Sequence, residues 1–440
     1  MNAAPLVESP SDSQARYERA LTMLHTHRGN PLAEVDRLLA DDPGFVPAHC
    51  LRAAFLVMGG NRGLQTTLAA SVAAIESAGP SASERERRHA EAARAWLEAD
   101  PVRALEHYAA IVVDLPRDIL ALTVAHALDF RLGRRRMLRD RIAQVLAEWD
   151  ATVPGYASVL TMYAFGLEEN GQRRRALATA RRALAIDPGH PGAIHVVAHV
   201  MEMQGRPRDG IAWLAATESW WAEGTAYSVH LAWHRAVFQL EQDDVDSALA
   251  TYDSRLAPRN ATTVSALVDA SALLWRLALR NVDLGNRWRD LADRWEARLR
   301  PGAPTFQAVH ALMAFAADGR DAASTRVLDS LRRENAHASL DSSPDEALAE
   351  PLGEGLIAFG HNDFARCVER LAHVRHLAHH CGGSLAQCDV IHLTLTEAAL
   401  RARQNRLARA LTAERAARRP ASLLNRLLLA RAASLMPATG

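Results

Sequence analysis

The 440-residue chain contains no lysine; its 51 basic residues are all arginine. That absence removes the Schiff-base amine used with pyridoxal phosphate and the lysine of a nucleotide-binding P-loop. Aromatic residues are only 5% of the chain. Runs of alternating Val, Ile, Thr and Tyr are missing, so a β-rich fold lacks its raw material. Acidic residues also number 51, and the net charge is zero. With no basic stripe or acidic tail, neither nucleic acid nor an anionic membrane surface is an expected partner. No apolar stretch reaches roughly 18 residues, so no membrane span is expected. The four cysteines (Cys50, Cys367, Cys381 and Cys388) form no CxxC pair, and reduced thiols follow. The start, Met1-Asn2-Ala3-Ala4-Pro5, lacks the basic-then-apolar pattern of a secretory leader. These absences lead us to expect a soluble, cytoplasmic protein.

What remains is rich in Ala, Leu and Arg, with 49% hydrophobic residues. Such unbranched side chains lose little rotamer freedom in a helix, and the expected fold class is all-α. The length exceeds what one compact core covers, so several domains or an extended repeat array are expected.

A repeat emerges by register. With Ala157 as position 1, Leu160, Ala164, Leu167 and Gly171 fall at 4, 8, 11 and 15. Ala176, Ala180, Ala183 and Pro188 then fall at 20, 24, 27 and 32. These are tetratricopeptide positions: small residues where two antiparallel helices touch, a turn, and a proline that ends the second helix. The unit recurs from Pro191 (Ala198, Gly205, Gly210) and from Val229 (Ala236, Ala248, Tyr252). Weaker copies fit 15–44, 46–79, 85–115, 119–150, 305–338, 348–380 and 391–420, with an irregular helical segment at 260–300. The expectation is a strongly curved α-solenoid of about eleven hairpins with a concave inner pocket. N-terminal hairpins span 1–150, central repeats 151–260, and C-terminal hairpins with a capping helix near Ser422–Leu435 complete 261–440. Residues 78–84 and 338–346 read as loops, and 8–14 as a polar start.

The register also aims the histidines. Helix A of each hairpin lines the concave side through positions 2, 5, 9, 12 and 13. In the unit from Pro191 these positions hold His195, His199 and Glu202. The next helix A presents His230, Trp233 and His234. Histidines four apart on a helix have Cβ atoms roughly 6 Å from one another, and neighbouring helices pack about 8–10 Å apart. Four imidazoles, a glutamate and a tryptophan therefore converge. Asp269 is placed on a helix without an assigned face, while His310 and His392 fall near inward positions of their own helices.

Three uses of this wall stay open. The rings can be ordinary wall residues. Histidines at i and i+4 with a carboxylate suit zinc or another divalent ion. They also suit acid–base or substrate-orienting work near neutral pH. Elsewhere the spacing favours packing or solvation. Trp275, Trp288 and Trp295 sit at core spacing, and Trp213, Trp220 and Trp221 are core or lid residues. His373, His376, His379 and His380 with Cys381 gather at a helix end, where protonated histidine suits the helix dipole. Arg134–Arg136 reads as a solvated turn, and Gly382-Gly383-Ser384 as a loop.

The wording of 149–277 is distinctive: WDATVPGYASVLTMYAFGLEENGQ, IHVVAHVMEMQGRPRDGIAWL, HLAWHRAVFQLE and LVDASALLWRL. With FQAVHALMAFAADGR and DVIHLTLTEAALRA further on, it resembles the tetratricopeptide repeat protein 38 family. The resemblance covers most of the chain after about residue 30 and implies a TPR-like helical fold, with no general reaction attached. Its matching positions are His195, His199, Glu202, His230, Trp233, His234, Asp269 and His310. The chain departs from the family at Leu385 and Cys388, where a His and an Arg are common, and at Ala232, where a tryptophan pair is.

The leading expectation is an interior pocket that binds, and in one version transforms, a small molecule. His195, His199, His230, His234, Glu202 and Asp269 would act, with Trp233, His310 and His392 contacting the ligand. A divalent metal ion on the four histidines is the cofactor consistent with this. The competing expectation is a non-catalytic scaffold holding a peptide or protein in its groove, and self-association stays open in both.

Overall fold

A computed structural model describes residues 12–60, 62–257, 263–336 and 344–435. Helices start where the sequence supplies caps. Asp100, Asp118, Asp244, Asp363 and Ser422 each accept a hydrogen bond from a backbone N–H of the first turn. Ser83 with Glu86 and Ser384 with Gln387 form reciprocal capping boxes. Proline opens the helices Pro31–Asp41, Pro101–Asp114, Pro191–Met203 and Pro207–Ala216, where its missing N–H costs nothing.

Among the described residues the helices pair into eleven antiparallel hairpins, from Asp12–Thr26 with Pro31–Asp41 to Leu385–Arg401 with Asn405–Arg418. Leu423–Ala433 follows as a cap. The small residues of the repeat sit where register puts them: Ala164, Ala176, Ala180 and Ala183 have no exposed surface. At Gly210 the approach is tighter, since a Cβ there would lie 2.4 Å from the Phe238 ring. Gly171 and Gly205 turn the chain in the left-handed region (φ 74° and 65°), and Asp243 adopts the same conformation (φ 63°) in the third unit. The irregular segment resolves into Val264–Ala278 and Arg287–Arg298, with Trp275, Trp288 and Trp295 all buried in the core.

The array winds tightly enough to close on itself. Gly29 N–H donates to Gly224 O (2.8 Å) and Ala226 N–H to His27 O (3.0 Å), and Arg28 grips Asp187 with two 3.0 Å bonds. On the other side the Leu385 N–H donates to Glu169 (3.1 Å). At the C-terminal end Leu424 N–H donates to Glu241 (3.3 Å). The four cysteines are buried, and no disulfide joins them.

Three local expectations change. Of the loop at 338–346, 338–343 lies outside the described residues and 344–346 begins the Pro344–Gly360 helix. Of the polar start, 8–11 lies outside the described residues, while 12–14 is already helical. Arg135 is not a solvated turn residue: its guanidinium Nε lies 3.4 Å from the buried Glu169 carboxylate. No helix among the described residues is long and apolar enough to cross a membrane.

Candidate functional site

Helix Pro191–Met203 supplies His195, His199 and Glu202, and helix Ser228–Glu241 supplies His230, Trp233 and His234. All six point inward. Five of the six pairs among the four imidazoles have ring centroids 4.3 to 5.1 Å apart, and one nitrogen from each ring lies within 4.8 Å of the others. His199 and His234 are wholly buried and His195 nearly so; the His230 side chain keeps 16% exposure.

Three of the four rings are held from behind. His199 Nδ1–H donates to Glu168 Oε2 (3.2 Å), His234 Nδ1–H to Glu202 Oε2 (2.9 Å), and His230 Nδ1–H to both Asp269 oxygens (3.0 Å each). An ionised carboxylate only accepts, so each contact places a proton on Nδ1, and in the neutral ring Nε2 keeps its lone pair. The Nε2 atoms of His199 and His234 are buried without a hydrogen-bond partner, a state that costs about 1–3 kcal/mol per group. His195 Nε2 and His230 Nε2 lie 3.1 Å apart; with His230 as acceptor His195 Nε2–H donates, and that proton has to move to Nδ1 before His195 Nε2 can ligate an ion.

The surroundings tune these rings unequally. Burial, reinforced by the other histidines, pushes His195 and His234 well below the ordinary histidine value. Burial opposes charge on His199 as well, but the hydrogen bond and charge of Glu168, with Glu169 and Glu202, outweigh it and raise its pKa. Glu169 is pushed up to about 7 by burial and by adjacent Glu168. Trp233 stacks on His230 (5.4 Å, 9° between planes) with the Arg276 guanidinium over its indole at 5.2 Å. Trp233 therefore braces a histidine and does not wall an open pocket.

The other expected residues are distributed around this centre. Asp269 belongs to it as the partner of His230. His310 stands one hairpin further on, its Nδ1–H donating to Phe306 O (2.7 Å) and its pKa lowered to about 4 by burial. His392 is apart from the four-ring cluster, in the electrostatic neighbourhood of Asp389, Arg415 and Arg418. The histidines at 373–380 are outside it as well, with His373 and His376 exposed. Trp213 and Trp221 donate to Ile194 O and Leu214 O within the core, whereas Trp220 is 51% exposed and covers Gly189.

Sequence reasoning passed over Glu168, Phe165 and Tyr227. Phe165 and Tyr227 lie against His195 with centroids 5.9 and 4.9 Å away. Glu168 was within reach, because it occupies position 12 of its repeat, as Glu202 does in the next. Tyr227 precedes its helix and carries no register signal. Two positions singled out in the sequence lie near Glu169: Leu385 donates its backbone N–H to that carboxylate, and Cys388 Sγ lies 3.7 Å from the Arg135 guanidinium.

The four Nε2 atoms can hold a metal ion. Two ligands about 2.0–2.1 Å from a tetrahedral ion sit about 3.3 Å apart, close to the 3.1 Å between His195 and His230. The rings are too close together for an organic molecule to fit among them. No family model matches the chain. Among solved structures it is similar to the TPR domain of P58(IPK), at 11% identity over 90% of this chain and 99% of that one, with a TM-score of 0.21. The TPR-like solenoid architecture rests on the chain's own helix pairing.

Proposed function

We propose that this protein is a metal-binding helical solenoid, in which His195, His199, His230 and His234 hold one divalent transition-metal ion through Nε2 and a small molecule is bound or transformed there. One observation carries the reading. Three Nδ1–H groups are committed to Glu168, Asp269 and Glu202, which leaves Nε2 as the free donor atom of those rings, and one ring nitrogen from each of the four histidines lies within 4.8 Å of the others. Histidines that bind metals are ordinarily oriented by such carboxylates, which also raise their basicity.

Charge supports the same conclusion. Among the described residues no arginine pairs with buried Glu168 or Asp269, and Glu202 has only Arg419 at 3.8 Å. Buried carboxylates demand nearby positive charge, and a divalent cation at the centre would provide it. Imidazole donors favour zinc, copper, nickel or iron over magnesium and calcium. Such an ion supplies Lewis-acid polarisation or an activated water. The peptide-scaffold reading draws less support, because the inner face here is occupied by mutually packed rings.

The test is elemental analysis of protein purified without a histidine tag. About one transition-metal ion per chain is expected, with a higher Tm than the chelated form. Content well below one, with no uptake on reconstitution, ends the proposal.

A further inference from the structure

The four imidazoles are not equivalent. His199, His230 and His234 are each pinned by a carboxylate on a neighbouring helix. His195 has none; among the described residues its polar partner is His230 Nε2. Its ring otherwise rests against Phe165, Tyr227 and the other three histidines. A carboxylate on the far nitrogen fixes a ring's orientation and strengthens its donor atom, and losing one costs about 10–100-fold in metal affinity. His195 is the ligand held least firmly.

Access comes from the same side. His199 and His234 have no exposed surface, whereas His195 and His230 keep some. Tyr227 borders this edge, on a turn tied to the N-terminal loop by the Gly29–Gly224 and Ala226–His27 hydrogen bonds. The ring of His27 closes on Tyr227 edge-on at 5.1 Å. The rings of Phe165, Tyr227 and the other three histidines crowd His195, with centroids 4.3 to 5.9 Å away.

Resting on the metal reading above, we infer that His195 is a displaceable ligand whose coordination position is taken by a small monodentate anion arriving at the His195–His230 edge. The bond from the ion to His195 Nε2 breaks as the bond to the anion forms. His199, His230 and His234 stay bound, and no electron changes hands. The centre is thus built from three fixed donors and one exchangeable position, the arrangement that separates reactive metal sites from closed structural ones.

Cobalt(II)-loaded protein, with azide as the probe anion, tests this. Wild type is expected to take up cobalt and to shift its visible absorption on adding azide. His195→Ala and His195→Gln should keep cobalt at about one ion per chain under the loading conditions used for wild type. His195→Ala should bind azide more tightly than wild type, and free imidazole should restore its wild-type spectrum. His199→Ala and His234→Ala should take up none. The inference is overturned if both His195 variants, folded by circular dichroism, lose cobalt as completely as His199→Ala. It is equally overturned if azide shifts neither wild type nor His195→Ala. If wild type itself takes up no cobalt, the metal reading fails and this inference falls with it.

Discussion

Two buried histidine–carboxylate assemblies in this chain use the same residue types to opposite ends. In the N-terminal part, Asp118 accepts from Arg85 Nε (2.7 Å) and Nη2 (2.9 Å), from His89 Nε2–H (2.9 Å) and from the Ala121 backbone N–H (3.0 Å). One carboxylate is saturated by several donors, and those bonds with the Arg85 charge hold its pKa well below the usual carboxylate range despite burial. In the central hairpins the ratio reverses. Three carboxylates each take a single imidazole, and one nitrogen from each of four rings lies within 4.8 Å of the others. The first assembly ties helices together. The second leaves donor capacity over, so the content of a polar cluster is read from its unspent lone pairs and not from its composition.

The largest effect is expected from acid, acting on buried histidines outside both assemblies. Burial lowers His25 and His27 to about 4, and His126 and His190 to about 3. Each binds a proton in the unfolded chain near its model value of 6.5 and stays neutral when folded. Their contribution is therefore complete above that value. It is lost as pH falls toward the folded values, at about 1.4 kcal/mol per pH unit for each group. Asp118 loses its contribution in the same direction but in a lower window, since it persists until pH drops below the model value of 3.8. Denaturant titrations should show a steep loss between about pH 6.5 and pH 4. A flat profile there would mean that these four histidines are hydrated.

Substitution sharpens the contrast. Asp118→Ala is expected to destabilise by about 3–5 kcal/mol, the cost of stranding a buried partner, while metal content stays at the wild-type level. A fall in metal content in that variant would erase the distinction between the assemblies. Glu202→Gln should do the reverse, lowering metal affinity by about 10–100-fold in competition with a chromophoric chelator. An unchanged affinity would mean Glu202 serves Arg419 and not His234. The smallest effect belongs to packing outside both assemblies. Gly210→Ala pushes a methyl into Phe238 and should cost about 1–3 kcal/mol, read by urea unfolding with metal content unaffected.

Much of this was legible. Ala164, Ala176 and Ala180 announced the hairpin contact, and the same phase aimed His195, His199, Glu202, His230 and His234 inward. What escaped had physical causes. Asp269 lies in a hairpin whose connection departs from the 34-residue spacing, so its face could not be computed from register. His392 took an inward register position, yet its helix packs among the arginines of the C-terminal hairpins. Register says which side a residue faces, and only the superhelical path decides what waits there. Nor can a sequence state which nitrogen of a ring is occupied, the fact on which the metal reading turns.

The latch between residues 27–29 and 224–226 has a consequence for how the molecule comes apart. An open solenoid is nearly one-dimensional, each repeat answering only to its neighbours, and it can fray from either end. Here the first hairpin is bolted across some two hundred positions to the middle of the chain. That raises the entropic toll of assembly and slows folding, and it joins the N-terminal half to the centre in a single melting event. Calorimetry of the intact chain should show one transition where an unlatched array would show gradual loss from its ends.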